Sequence, residues 1–134
     1  MPADLSYLLD RFGQSVADVR SSVVLSADGL LLARSSDLDQ TAADQLAAVA
    51  AAVNGLARGA ARQHGWGHSR KTIMEMESAY LFITALGPDN SACLAVSAEI
   101  TADVGQIAFE MAVLSGQAGA FFAPGARAGA AVIT

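Results

Sequence analysis

The stretch from Gly65 to Thr72, GWGHSRKT, is where this chain comes nearest to a phosphate-binding loop. Such a loop sets glycine directly before a lysine that opens a helix, so that backbone N–H groups cradle the phosphates. Here Arg70 precedes Lys71 and the residues that follow are β-prone, so no nucleotide site is expected. His64 and His68 lie beside and within the same stretch, with no acidic or thiol neighbour. Two imidazoles do not complete a zinc site. A histidine near a helix C-terminus is favoured by the helix dipole, which is the simpler reading of His64. Cys93 stands among Ala92, Leu94 and Ala95. Nothing local would activate it, so it reads as a small buried hydrophobe. Glu75, Glu77 and Glu99 are separate carboxylates near strand ends, and general acid–base work would need the fold to bring them together. The residue types therefore predict no catalytic residue, no metal and no cofactor.

Composition narrows the classes further. The 134 residues are one domain's worth of chain. A mean hydropathy of +0.39 is that of a chain with a core, not of a disordered one. Lys and Arg total 8 against 13 Asp and Glu, for a net charge of −5, and Lys71 is the only lysine. A nucleic-acid binder normally carries a basic face, so no nucleic-acid partner is expected. One cysteine excludes an internal disulfide framework. The N-terminal residues MPADLSYLLDRFG are broken by Asp4, Asp10 and Arg11, unlike a signal peptide. The apolar run from Leu46 to Ala57 contains Asn54 and is too short to span a bilayer. A cytoplasmic location without direct membrane insertion is the expectation.

Periodicity gives the elements that must position these residues. Leu5, Leu8, Leu9, Phe12, Val16 and Val19 recur at helical spacing, predicting a helix over 4–19 with Asp4 as its N-cap. Asp28-Gly29 between two β-rich runs, 20–27 and 30–34, predicts a hairpin covered on both faces. Thr41 followed by Asp44 resembles a capping box, opening a long helix over 42–63 that Gly65 and Gly67 end. Its inward stripe is expected to be Leu46, Val49, Val53 and Leu56. Strands are predicted over 68–76, 79–86 and 92–99, with Leu94 and Val96 facing opposite to Cys93, Ala95 and Ser97. Thr101 would cap a last helix over 102–118. The order is helix, two strands, helix, three strands, helix: an α+β domain with a five-stranded antiparallel sheet between helices. Residues 1–118 form the domain in this reading, and 119–134 an Ala/Gly-rich tail from which Phe121 and Phe122 could dock. The 29 alanines give the second helix a small, flat stripe, and that favours a partner interface over an active site.

Several segments together resemble the roadblock/dynein light chain family, close to its actinobacterial branch. They are VVLSADGLLLARSS (23–36), DQLAAVAAAVNGLARGAAR (44–62), ESAYLFITALG (77–87), ACLAVSAE (92–99) and ADVGQIAFEM (102–111). The resemblance covers roughly residues 4–118 and is most specific in LSADGLLLA and DVGQIAFEM. It implies the roadblock, profilin-like sandwich and a non-enzymatic regulator that homodimerises by pairing its third strands and packing its second helices together. On this chain the dimer interface would comprise Ala47, Ala50, Ala51, Asn54, His68, Arg70, Thr72 and Met74. Bacterial members of the family include partners and activators of small Ras-like GTPases, and actinobacterial ones often accompany a sensor kinase. A GTPase-binding homodimer is therefore the first functional expectation, and an adaptor assembling a sensor-kinase complex the second. Asn54, Arg58 and Arg62, spaced by four, would rim the partner-binding surface near the dimer axis. No arginine carries over as catalytic. A small-molecule sensor is disfavoured because no polar residues visibly converge on a pocket.

Overall fold

The computed structural model describes residues 2–122 apart from residue 88. The first helix, α1, spans Pro2–Ser15. It starts before Asp4, which lies inside the helix and is not its cap. It also ends short of the predicted boundary, because Asp18 turns the chain with a left-handed φ of 70°. Val19, expected on the helix, instead opens β1 (Val19–Ser26). The hairpin to β2 (Leu31–Arg34) turns at Asp28-Gly29, where Gly29 takes φ 94°, the left-handed region open to glycine. A bulge between Val24 and Leu25 shifts the register there.

The long helix α2 spans Gln40–His64. Its N-cap is Asp39, whose Oδ1 accepts from the Ala42 N–H at 2.8 Å, rather than the expected Thr41–Asp44 pair. Gly65 closes it with φ 66°. Next come β3 (Lys71–Glu75), β4 (Ala79–Leu86) and β5 (Ala92–Glu99). β3 is shorter than the predicted 68–76, and His68 and Arg70 fall in the loop before it. The last helix, α3 (Val104–Gly119), is capped by Asp103, which accepts from the Gln106 N–H at 3.0 Å. Thr101, the predicted cap, lies outside it. A short 3-10 turn, Ala120–Phe122, lays Phe121 and Phe122 half-buried against the core. The tail beyond 122 lies outside the described residues.

The strands form one antiparallel sheet in the order β2-β1-β5-β4-β3. Its two faces are both covered, which is why the central strands lack a polar side. Val24, Phe82, Leu94 and Val96 meet α1 and α3 through Leu9, Phe12, Ile107 and Met111. Val23, Leu25, Ile83, Cys93 and Ala95 meet α2 through Ala43, Ala47 and Ala50. This is the expected α+β sandwich, with α2 alone on its side.

Candidate functional site

The stripe of α2 that touches the sheet is the small one. Ala43, Ala47 and Ala50 are fully buried, and Asn54 is 7% exposed. Alanine lets the helix axis come close to the sheet, and the burial gained across the whole contact replaces that of a few larger side chains. The expected assignment is thus inverted. Ala47 and Ala50 pack on their own sheet and offer nothing to a partner, and Asn54 turns into a cavity at the end of the helix, while Val49 and Leu56 are exposed, Leu56 by 76%. Leu46 and Val53 are half-buried at the edge of the α2-side core, as is Met74 of β3. Ala51, roughly opposite Val53 on the helix, lies against the β1–β2 turn, 3.2 Å from where a Cβ on Gly29 would stand. The apolar flank Leu46, Val49, Val53 and Leu56 therefore looks the other way, toward the β4–β3 side.

On that side β3 is the sheet's edge, hydrogen-bonded to β4 alone among the described strands. Thr72 and Met74 share the α2 face, opposite Ile83 and Leu81, while Ile73 stands opposite Phe82 on the other face. Ile73, Met76 and, in the preceding loop, Trp66 are exposed. An unpaired strand edge bordered by apolar side chains is a template for pairing with another chain. Neither a bulge nor a proline blunts β3.

A second feature lies at the C-terminal end of α2. There a cavity of about 420 Å³ opens between the helix, the 65–69 loop and the β4–β5 turn. Asn54, Arg58 and Arg62 line one wall, and Asp89 and Asn90 stand across from them. Asn54 makes no side-chain hydrogen bond among the described residues, and its amide opens onto the cavity, since the buried side-chain atoms left without a partner among those residues are Ser22 Oγ and Ser115 Oγ. Arg58 and Arg62 have no ion pair there either. Arg20–Glu99, in the sheet, is the ion pair seen among the described residues. Burial pushes the Cys93 thiol up, and the charge of the exposed Arg58 favours its thiolate. His64, beside this cavity, stacks on Trp66 at 4.7 Å. Among the described residues no three His, Cys, Asp or Glu side chains converge as a metal group would, and no helix is long and apolar enough to cross a membrane.

The Roadblock/LC7 domain family matches residues 5–98 of this chain. The chain belongs to that family. A solved Roadblock/LC7 domain from Streptomyces avermitilis is 34% identical, with 84% of this chain and 92% of that one covered and a TM-score of 0.78. MglB from Myxococcus xanthus shares the fold at 16% identity, with 89% and 94% covered and a TM-score of 0.79. Profilin IA from Acanthamoeba castellanii does so at 14% identity, with 86% and 96% covered and a TM-score of 0.60. No curated protein matches significantly.

Within this Roadblock/LC7 domain the sequence-derived site residues are spread over five places. Thr72 and Met74 sit on the exposed edge strand, and Ala51 is half-buried against Gly29. Asn54, Arg58, Arg62 and His68 meet around the cavity, and Arg70 precedes β3. Ala47 and Ala50 belong to the core. Sequence reasoning missed Val49 and Leu56 as surface residues. It took the larger aliphatics of α2 for the buried stripe, when an equally good helical period of alanines was available.

Proposed function

We propose that this Roadblock/LC7 protein is a non-catalytic homodimer that binds a small Ras-like GTPase and modulates its nucleotide cycle. The observation that carries the reading is the continuity of the unpaired β3 edge with the apolar flank of α2. Two copies related by a two-fold axis would pair β3 with β3 and bring the flanks Leu46, Val49, Val53 and Leu56 together, closing both exposures at once. The same operation joins the outer faces of the two α2 helices, around Ala48 and Ala52, into one low-relief surface for the GTPase. Interfaces of that kind have an apolar centre and a polar rim. The exposed sides of Arg58 and Arg62 supply cations to that rim.

The test pairs assembly with turnover. Light scattering of the wild type should give a dimer at micromolar concentration, and the variant Val49→Glu with Leu56→Glu a monomer. Burying two carboxylates without partners in the seam costs several kcal/mol, of order 3–5. GTP turnover by a Ras-like GTPase encoded beside this gene should change when the wild type is added and not when the variant is. A monomeric wild type rejects the interface. A dimer that leaves turnover and GTPase binding unaltered rejects the partner.

A further inference from the structure

We propose that the outer face of α3 seats on an anionic lipid surface, its apolar side chains entering the headgroup region and the cations beside it meeting the lipid charge. The α1–α3 layer covers its side of the sheet, and a surface helix in that place normally turns charged residues outward. In α3 the outward side is bare of them: Glu110 is the one charged group among its sixteen residues. The exposed residues of the helix are glycine, glutamine and alanine together with Phe109 and Val113. Phe109 is 67% exposed and Val113 45%. Spaced by four, they stand on one face. Tyr7, on the outer side of α1, is exposed as well. A group of exposed large apolar side chains on a folded domain marks a contact surface.

The charges beside this face identify what it meets. A hollow between α1 and α3 is lined by Arg11, Glu110 and Val113. On the other flank of α3, Arg70 and Lys71 line a second hollow with Ala108 and Ala112. The apolar face therefore has cations on both sides, and Glu110 is the one carboxylate in the two linings. None of the three cations belongs to an ion pair among the described residues. Arg11 instead lies over the Tyr7 ring, its guanidinium carbon 5.8 Å from the centroid. Asp10 on α1 and Asp103 at the start of α3 are engaged by the backbone N–H groups of Ser36 and Gln106. A helix lying in the plane of a bilayer has this makeup, an apolar face with basic residues beside it and aromatic rings at headgroup level. A second copy seated on the same face would set three cations against three, with one carboxylate on each side to offset them. An anionic surface is complementary to all of them. The net charge of −5 acts weakly against this, because salt screens groups more than about 8–10 Å from the surface. In this arrangement α3 crosses nothing, and α2, on the other side of the sheet, stays free for the dimer and its partner.

Flotation of the full chain with vesicles tests this, using phosphatidylcholine alone and phosphatidylcholine mixed with an equal part of phosphatidylglycerol. Binding to the mixed vesicles is expected at about 0.1 M NaCl, weakening as salt is raised, with none to phosphatidylcholine alone. Each cation close to an anionic surface strengthens binding by roughly fivefold, so Arg70→Gln with Lys71→Gln should weaken it at least about tenfold. Phe109→Ser with Val113→Ser should weaken it as well. Arg58→Gln with Arg62→Gln, which removes the same charge from the α2 side, should bind as the wild type does. Circular dichroism and light scattering of these variants, unchanged from wild type, separate loss of the surface from loss of the fold or of the dimer. Failure to bind the mixed vesicles, equal binding to both kinds, or undiminished binding in the Arg70/Lys71 or Phe109/Val113 variant overturns the proposal. So does assembly of the wild type beyond a dimer that Phe109→Ser with Val113→Ser reverses, since a second copy would then cover the face. None of these outcomes depends on the GTPase, so the lipid surface and the proposed partner stand or fall separately.

Discussion

Burial pushes the Cys93 thiol above its ordinary pKa, and the nearby Arg58 guanidinium pulls weakly the other way. The unfolded chain releases this proton more easily than the folded one. The contribution of the thiol to stability is therefore complete below the ordinary thiol pKa and is lost as pH rises above it. Because Cys93 sits on the central strand β5, reaching it requires opening close to global unfolding. A thiol reagent at neutral pH should react with the native protein on the order of a hundredfold or more slower than with the urea-unfolded chain. Rapid native labelling, followed by absorbance, would show β5 to be accessible instead. Two serines at the β1–β2 pair make a sharper contrast. The Ser22 N–H donates to Ser35 Oγ at 3.0 Å, while Ser22 Oγ is buried with no partner among the described residues. Ser35→Ala leaves a buried donor unmet and should cost about 1–3 kcal/mol, whereas Ser22→Ala removes an unmet group and should cost nothing. Urea denaturation of the two variants separates them, and equal destabilisation would contradict the assignment.

At the scale of elements, each long helix depends on one aspartate at its start. Asp39→Ala and Asp103→Ala should each lower stability by about 1 kcal/mol, read from urea midpoints, and Thr41→Ala and Thr101→Ala by much less. The reversed order would restore the caps inferred from the sequence. The sequence offered Thr41 and Thr101 as caps because threonine before an apolar run is a local signal. In both cases the aspartate that wins is within two residues of the threonine, a margin that local pattern does not resolve. Strands β4 and β5, by contrast, were legible to the residue, since each is a continuous apolar run bounded by turn chemistry. The faces of α2 were not. Its alanine stripe and its Leu/Val stripe have the same period, and only the spacing of helix to sheet decides between them. The packing of Ala51 against Gly29 belongs to that spacing. The cavity was out of reach for a different reason. Asn54, Arg58 and Arg62 are visible as a helical series, but the 65–69 loop and the β4–β5 turn meet them only through tertiary structure.

At the scale of the whole molecule, one side of the sandwich is finished and the other is open. The α1–α3 side closes over large side chains such as Phe12, Phe82 and Met111, with Phe121 and Phe122 tucked against its end. The α2 side has a single helix over a five-stranded sheet, so the β3 margin is left with Met74 half-buried and the α2 flank bare. If a second copy completes that side, folding and association are linked, and apparent stability must depend on protein concentration. Each tenfold rise in concentration should then add about 1.4 kcal/mol to the dimer relative to its unfolded chains. Melting curves recorded over two decades of concentration should shift steadily upward by several degrees for the wild type. For Val49→Glu with Leu56→Glu the curves should superimpose, at a lower temperature. A wild-type midpoint that ignores concentration would mean that the open side is stable as a monomer surface, and the β3 edge would then be available directly to the partner protein.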